Sequence, residues 1–264
     1  MNISYKLQIT AQRLLSFVSI LVALFSFFRN EVKIQVVKIT IFTFISKYIN
    51  MVVMFIPIKL LFLLSGAKNI SFLTDIEESI GRELYIGILV CIVIVLYILD
   101  MFMKIYKGKL TNFQKEIVNK DSYLLDGKPI QKKIITRTYN PYCQVLSDVL
   151  LIVTSIGVFL VVSPTYALYF VTVILLYVAF IEYLVFSPHQ TRLLKKLSLD
   201  NNQFIHVCNG ILYLIFFIGI VIVLLTQSIH ILLAIFMMLV SRITNTSLRT
   251  VFTSQRVLRR DYFS

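Results

Sequence analysis

Charge is scarce in this sequence. Only 15% of its residues are Asp, Glu, Lys or Arg, where a soluble domain carries about 25%. Acids are scarcer still, 13 against 26 Lys and Arg. Cysteine is limited to Cys91, Cys143 and Cys208. No CxxC pair occurs among them, which argues against a disulfide framework and against a Cys-based zinc site. His189, His206 and His230 are scattered and no HExxH is present, so metal ligation is not expected. Gly108-Lys109 and Gly127-Lys128 lack both the upstream glycine and the following Ser or Thr that let a P-loop cradle phosphates. No GxSxG nucleophile turn, low-complexity tract or short-period repeat is found. The chain is therefore expected to hold no catalytic residue, cofactor or metal of its own.

What the sequence has in abundance is apolar surface. Hydrophobic residues make up 58% and the mean hydropathy is +0.84. A soluble fold of 264 residues cannot hide that much, so the excess must face lipid. The net charge of +13 would suit nucleic acid in a soluble protein. Here the basic residues fall between apolar runs, which fits cytoplasmic loops against anionic headgroups, with no nucleic-acid partner.

A spanning helix needs about 20 apolar residues. Residues 14–28 fall short of that and carry positive charge on both sides: Lys6 and Arg13 before, Arg29, Lys33 and Lys38 after. Symmetric basic flanks suit an interfacial helix within an N-terminal segment 1–34, with a short true span as the alternative. The first span is expected at 40–64, with Pro57 inside it and Lys47 and Lys59 as costly intramembrane cations. The second is expected at 84–103. Residues 149–181 carry no charge and are too long for one span. The turn Ser163-Pro164-Thr165 divides them into a third span and a fourth reaching 186. Gln227-Ser228-Ile229-His230 divides the run 207–241 into the fifth and sixth.

Loops 104–145 and 187–209 and the tail 242–264 are basic. Loop 65–83 is acidic, and the turns at 163–165 and 227–230 lack acidic or basic residues other than His230. Six spans with both termini cytoplasmic satisfy the positive-inside rule at every loop. The expected fold is therefore all-α: one polytopic transmembrane domain of six helices, preceded by an interfacial N-terminal helix. Residues 104–145 form a cytoplasmic helical excursion around the turn Asp126-Gly127-Lys128-Pro129. Richness in Lys, Ile and Asn points to a bacterial cytoplasmic (inner) membrane. Asp100 and Glu182 interrupt apolar runs near cytoplasmic ends. They either pair with a cation such as Lys59 in a polar cavity or sit at headgroup depth in water.

This layout resembles the membrane domain of exporter-type ABC transporters. The local likeness lies in Leu146-Ser147-Asp148-Val149-Leu150-Leu151 leading to Val162-Ser163-Pro164-Thr165-Tyr166-Ala167-Leu168, and in the run from Ser241-Arg242 to Gln255-Arg256. The resemblance implies a membrane-spanning subunit paired with a second transmembrane subunit, like or unlike itself. With no nucleotide-binding domain in the sequence, ATP and Mg would be bound by a separate ATPase. Tyr123, Leu124, Leu125, Asp126, Gly127, Lys128 and Pro129 would dock on that ATPase. The segment 187–209 is much shorter than the family's second excursion, which bears on whether helices are exchanged between partners. A non-transporting membrane scaffold fits the same layout. A lipid-modifying membrane enzyme lacks the clustered carboxylates or metal ligands such chemistry uses.

Overall fold

A computed structural model describes residues 3–31, 35–65, 77, 79–118, 123–125, 128–130, 132–185, 200–227 and 229–263. Seven helices dominate it: α1 (Ile3–Ser26), α2 (Val36–Leu64), α3 (Arg82–Val118), α4 (Lys132–Val162), α5 (Pro164–Val185), α6 (Asn201–Gln227) and α7 (Ile231–Phe263). A π-helical turn, Phe27–Glu31, follows α1. Each helix contains a stretch long and apolar enough to cross a membrane. The stretch in α1, Gln12–Asn30, has the lowest hydropathy of the seven. The chain is thus an α-helical membrane protein. Between α3 and α4 lies a small departure from an all-helical chain: strands β1 (Tyr123–Leu125) and β2 (Lys128–Ile130), paired antiparallel with Leu125 opposite Lys128.

Helices α2 to α7 run alternately up and down. One end of the bundle, the turn side, carries the α4–α5 and α6–α7 connections. The other, the hairpin side, carries β1 and β2. Ser163 ends α4 and starts α5, accepting from the Tyr166 amide at 3.4 Å. Its hydroxyl donates to Gln227 Oε1 at 2.8 Å, and Gln227 Nε2 donates to Thr165 at 2.8 Å. One glutamine therefore clasps three helix ends whose backbone groups lack intrahelical partners.

Within the helices, small hydroxyls find partners without leaving their own turn. Thr43, Ser155, Thr172, Thr226, Thr244 and Thr246 each donate to the carbonyl four residues earlier at 2.7–2.9 Å. This lets polar residues sit in an apolar solvent at little cost. Helices α2 and α4 both continue through a proline, Pro57 and Pro141.

The main core joins α4, α5, α6 and α7 around Phe159, Tyr166, Phe170 and Phe216, all fully buried. Their rings stack with centroids 4.5–5.8 Å apart. Helix α4 packs most extensively on α7, and α5 packs on α6 within the same chain. Helix α3 stands at the edge, packed chiefly on α2, and is the least buried of the seven. With 37 residues it is about 55 Å long, against about 30 Å of hydrocarbon. Its overhang lies on the hairpin side.

Helix α1 takes a different course. The Arg13 carbonyl accepts from Arg259 at 2.9 Å, and the Arg259 guanidinium lies over the Phe17 ring. The Leu21 carbonyl accepts from the Tyr142 hydroxyl at 3.0 Å. Phe28, just beyond α1, meets the rings of Tyr139 and Tyr142. Arg259 is held by Glu182, which lies about 27 Å from the turn side along α5, and Tyr142 lies about 30 Å from it along α4. The segment from Arg13 to Phe28, about 22 Å of helix, thus touches the hairpin-side part of α7 at one end and of α4 at the other.

Gly219 shows how closely α5 and α6 approach. A Cβ there would overlap the Tyr169 ring, whose hydroxyl donates to the Ile215 carbonyl at 2.8 Å. Gly219→Ala must displace that ring, an overpacking cost of about 1–3 kcal/mol. The expected outcome is a lower melting temperature in detergent. In a Tyr169→Leu background the same change should cost much less. Equal losses in both backgrounds would refute the contact.

Candidate functional site

Three buried carboxylates lie in the spans, at similar distances along their helices from the turn side. Asp100 is 18 residues into α3, Glu182 is 18 into α5 and Asp148 is 14 before the end of α4. These offsets are about 21–27 Å from the turn side, toward the hairpin-side edge of a hydrocarbon layer about 30 Å thick. All three are buried, and each meets a cation. Asp100 binds Lys104 at 2.5 Å and accepts from Ser46 at 2.6 Å, with Asn50 at 3.5 Å. Asp148 pairs with Lys47. Glu182 binds Arg259 at 2.7 Å and accepts from Gln255 at 3.1 Å.

Polar residues on α2 and α7 border these carboxylates. Ser46, Lys47 and Asn50 on α2 project to both sides, reaching α3 through Asp100 and α4 through Asp148. On α7, Ser241, Thr244, Asn245, Ser247, Ser254 and Gln255 are all buried. The helix runs unbroken past Arg242.

Between α2 and α7 this belt opens into a groove of about 250 Å³. Lys47, Asn50, Arg242, Thr246, Ser247 and Thr250 line its polar part, and Met51, Met54, Leu239 and Ile243 its apolar part. Arg242 is exposed and has no ion-pair partner among the described residues. Among the same residues no group of three His, Cys, Asp or Glu side chains could hold a metal ion.

The structure places the expected site residues unevenly. Lys59 does not pair with Asp100 or Glu182. It is buried 12 residues along α2 from Lys47, about 18 Å toward the turn side, and donates to the Tyr85 hydroxyl at 2.5 Å while lying over that ring. Asp100 and Glu182 have nearer cations, i+4 on the same helix and on α7 respectively. Neither carboxylate sits in open water. Tyr123, Leu124 and Leu125 form β1 and Lys128 and Pro129 begin β2. Asp126 and Gly127 lie outside the described residues, as do 66–76 and 186–199. Asp148, Gln255, Arg242 and Arg259 join the polar belt without having been singled out as candidates. A carboxylate on one apolar helix and a cation on another show no spacing in sequence that links them.

Compared with known proteins, the chain matches no family model, no curated protein and no solved structure.

The Lys47–Asp148 pair has a direct test. Removing one partner of a buried pair strands a charge and costs about 3–5 kcal/mol, whereas replacing both with apolar groups can be neutral. Lys47→Met alone should lower the melting temperature in detergent. Lys47→Met with Asp148→Leu should recover more than half of the loss. A double variant no better than the single one would contradict the pairing.

Proposed function

We propose that this chain is the membrane-spanning subunit of an ATP-driven, exporter-type transporter, energised by an ATPase on a separate polypeptide. The observation that carries the reading is the overhang: α3 leaves the bilayer by about 25 Å and returns through the hairpin β1–β2 and α4. A stiff basic lever of this kind suits a cytoplasmic partner that moves the bundle. Helix α4 continues from that lever to Asp148 in the polar belt and packs on α7. A displacement at the hairpin can therefore reach the groove between α2 and α7 as a rigid-body shift.

In this reading the hairpin side is the cytoplasmic face of a bacterial inner membrane, as the distribution of Lys and Arg favours. Six helices cross, α2 to α7, and α1 lies in the interface. The contacts of its two ends with hairpin-side residues of α7 and α4 support that count. Both termini are then cytoplasmic. A second transmembrane subunit would pack against the exposed face of α3. The packing of α5 on α6 within one chain favours a partner that exchanges no helices.

A non-transporting scaffold subunit is the second reading. The broad lipid-facing surface of α3 favours it equally, because it offers room for a membrane partner of any activity.

The readings separate on what the hairpin touches. With photo-crosslinkable residues at Leu124 and Lys128, a transporter subunit yields a stoichiometric adduct with an ATPase in native membranes. Adducts with non-ATPase proteins alone overturn the transporter reading and leave the scaffold.

The course of α1 is tested separately. Nitroxides at Leu15→Cys and Val22→Cys should show equal immersion depth by power saturation with oxygen and a nickel chelate. A spanning α1 would separate them by about 10 Å.

A further inference from the structure

The groove between α2 and α7 is graded along its length. Counting from the turn-side ends of the two helices at 1.5 Å per residue, Leu239, Met54, Arg242 and Ile243 lie at about 12–18 Å. Asn50, Thr246, Ser247, Lys47 and Thr250 lie at about 21–28 Å. All line one space. Its turn-side part is thioether and hydrocarbon bordered by Arg242, and its hairpin-side part is hydroxyl, amide and the Lys47 ammonium.

The charges in this space do not cancel. Asp148 answers Lys47, and Asp100 answers Lys104 just behind Asn50. Among the described residues Arg242 is the cation left over, inside the apolar stretch Ile231–Arg259 of α7. An isolated guanidinium within a span is costly unless it snorkels to a polar region or meets an anion. Its neighbours one and two turns on, Thr246 and Thr250, donate to the Arg242 and Thr246 carbonyls and keep the hairpin-side wall polar. Among the described residues no carboxylate lines the groove.

We propose that this groove is a binding site for an anionic amphiphile of the hairpin-side leaflet, a phospholipid with an acidic headgroup. The headgroup phosphate is held by Arg242, and one acyl chain lies against Met54 and Leu239. The polarity gradient matches a lipid of that leaflet in its ordinary orientation, head toward the hairpin side and chain toward the turn side. The planar guanidinium fork suits two phosphate oxygens at once. Lys47 adds positive potential without leaving Asp148. The assignment does not depend on the ATPase reading: a scaffold subunit with the same groove would bind the same lipid.

The test uses the full-length chain in a neutral detergent, with native mass spectrometry reading bound lipid. The probes are phosphatidylglycerol and phosphatidylcholine of the same chain length, and glycerol phosphate as the headgroup without chains. Phosphatidylglycerol should bind in preference to phosphatidylcholine, and glycerol phosphate should not compete at equal concentration. Arg242→Gln should lower the phosphatidylglycerol affinity about tenfold, the loss of one charged hydrogen-bonding partner, and leave phosphatidylcholine unchanged. Arg242→Lys should retain part of the preference, and Arg256→Gln, outside the groove, all of it.

The unmodified protein gives a second readout should Arg242→Gln fail to fold. Phosphatidylglycerol with a photoreactive acyl chain should label peptides containing Met54 or Leu239. Equal binding of the two lipids, unchanged affinity in Arg242→Gln, competition by glycerol phosphate alone, or labels confined to α3 would each overturn the site. So would a cross-link showing Arg242 paired with a carboxylate of a second membrane protein.

Discussion

Inside a bilayer there is no water to accept a hydrogen bond, and every charge must find its counter-ion within the protein or at an edge. The rest of this structure follows from that constraint. The backbone complies by being helical. Thr43, Ser155, Thr172, Thr226, Thr244 and Thr246 comply by bonding the preceding turn. The three buried carboxylates comply by meeting Lys104, Lys47 and Arg259. Two of these pairs join different helices, so satisfying the charge also fixes which helices are neighbours. Asp148 and Lys47 hold α4 to α2, and Glu182 and Arg259 hold α5 to α7.

The belt these pairs form divides the molecule into two unlike halves. Toward the turn side the bundle is held by aromatic packing and by one glutamine clasp, with Gly219 allowing the closest approach of α5 and α6. Toward the hairpin side it is held by charge, and α1 packs there through Arg259, Tyr142 and Phe28. The apolar half packs tightly around its aromatic rings, and the polar half borders the groove between α2 and α7.

Much of this was legible in the residues. Apolar runs broken at Ser163-Pro164 and Gln227–His230 placed the turns from α4 to α5 and from α6 to α7, because a proline or a polar cluster marks each reversal, while α4, α6 and α7 extend beyond those runs at their other ends. Symmetric basic flanks singled out α1. What stayed hidden was pairing across helices. Lys59 seemed available to Asp100 on charge alone, yet the two lie about 20 Å apart along the bundle, and a tyrosine rather than an acid stands opposite the lysine. Arg242 read as the start of a basic tail, whereas α7 continues through it with its polar residues turned inward. The strands flanking Asp126-Gly127 were missed although that dipeptide is a hairpin signal, because the surrounding residues read as helix.

The arrangement rests on all the polar connections of the hairpin side sharing one face of the membrane. Single cysteines in a background lacking Cys91, Cys143 and Cys208 measure this most directly, with a membrane-impermeant maleimide applied to intact and to permeabilised cells. Cysteines at Lys128, Asn201 and Arg256 should react only after permeabilisation, and cysteines at Thr165 and Ile229 should react in intact cells. Reaction of the first three split between the two conditions would contradict the account.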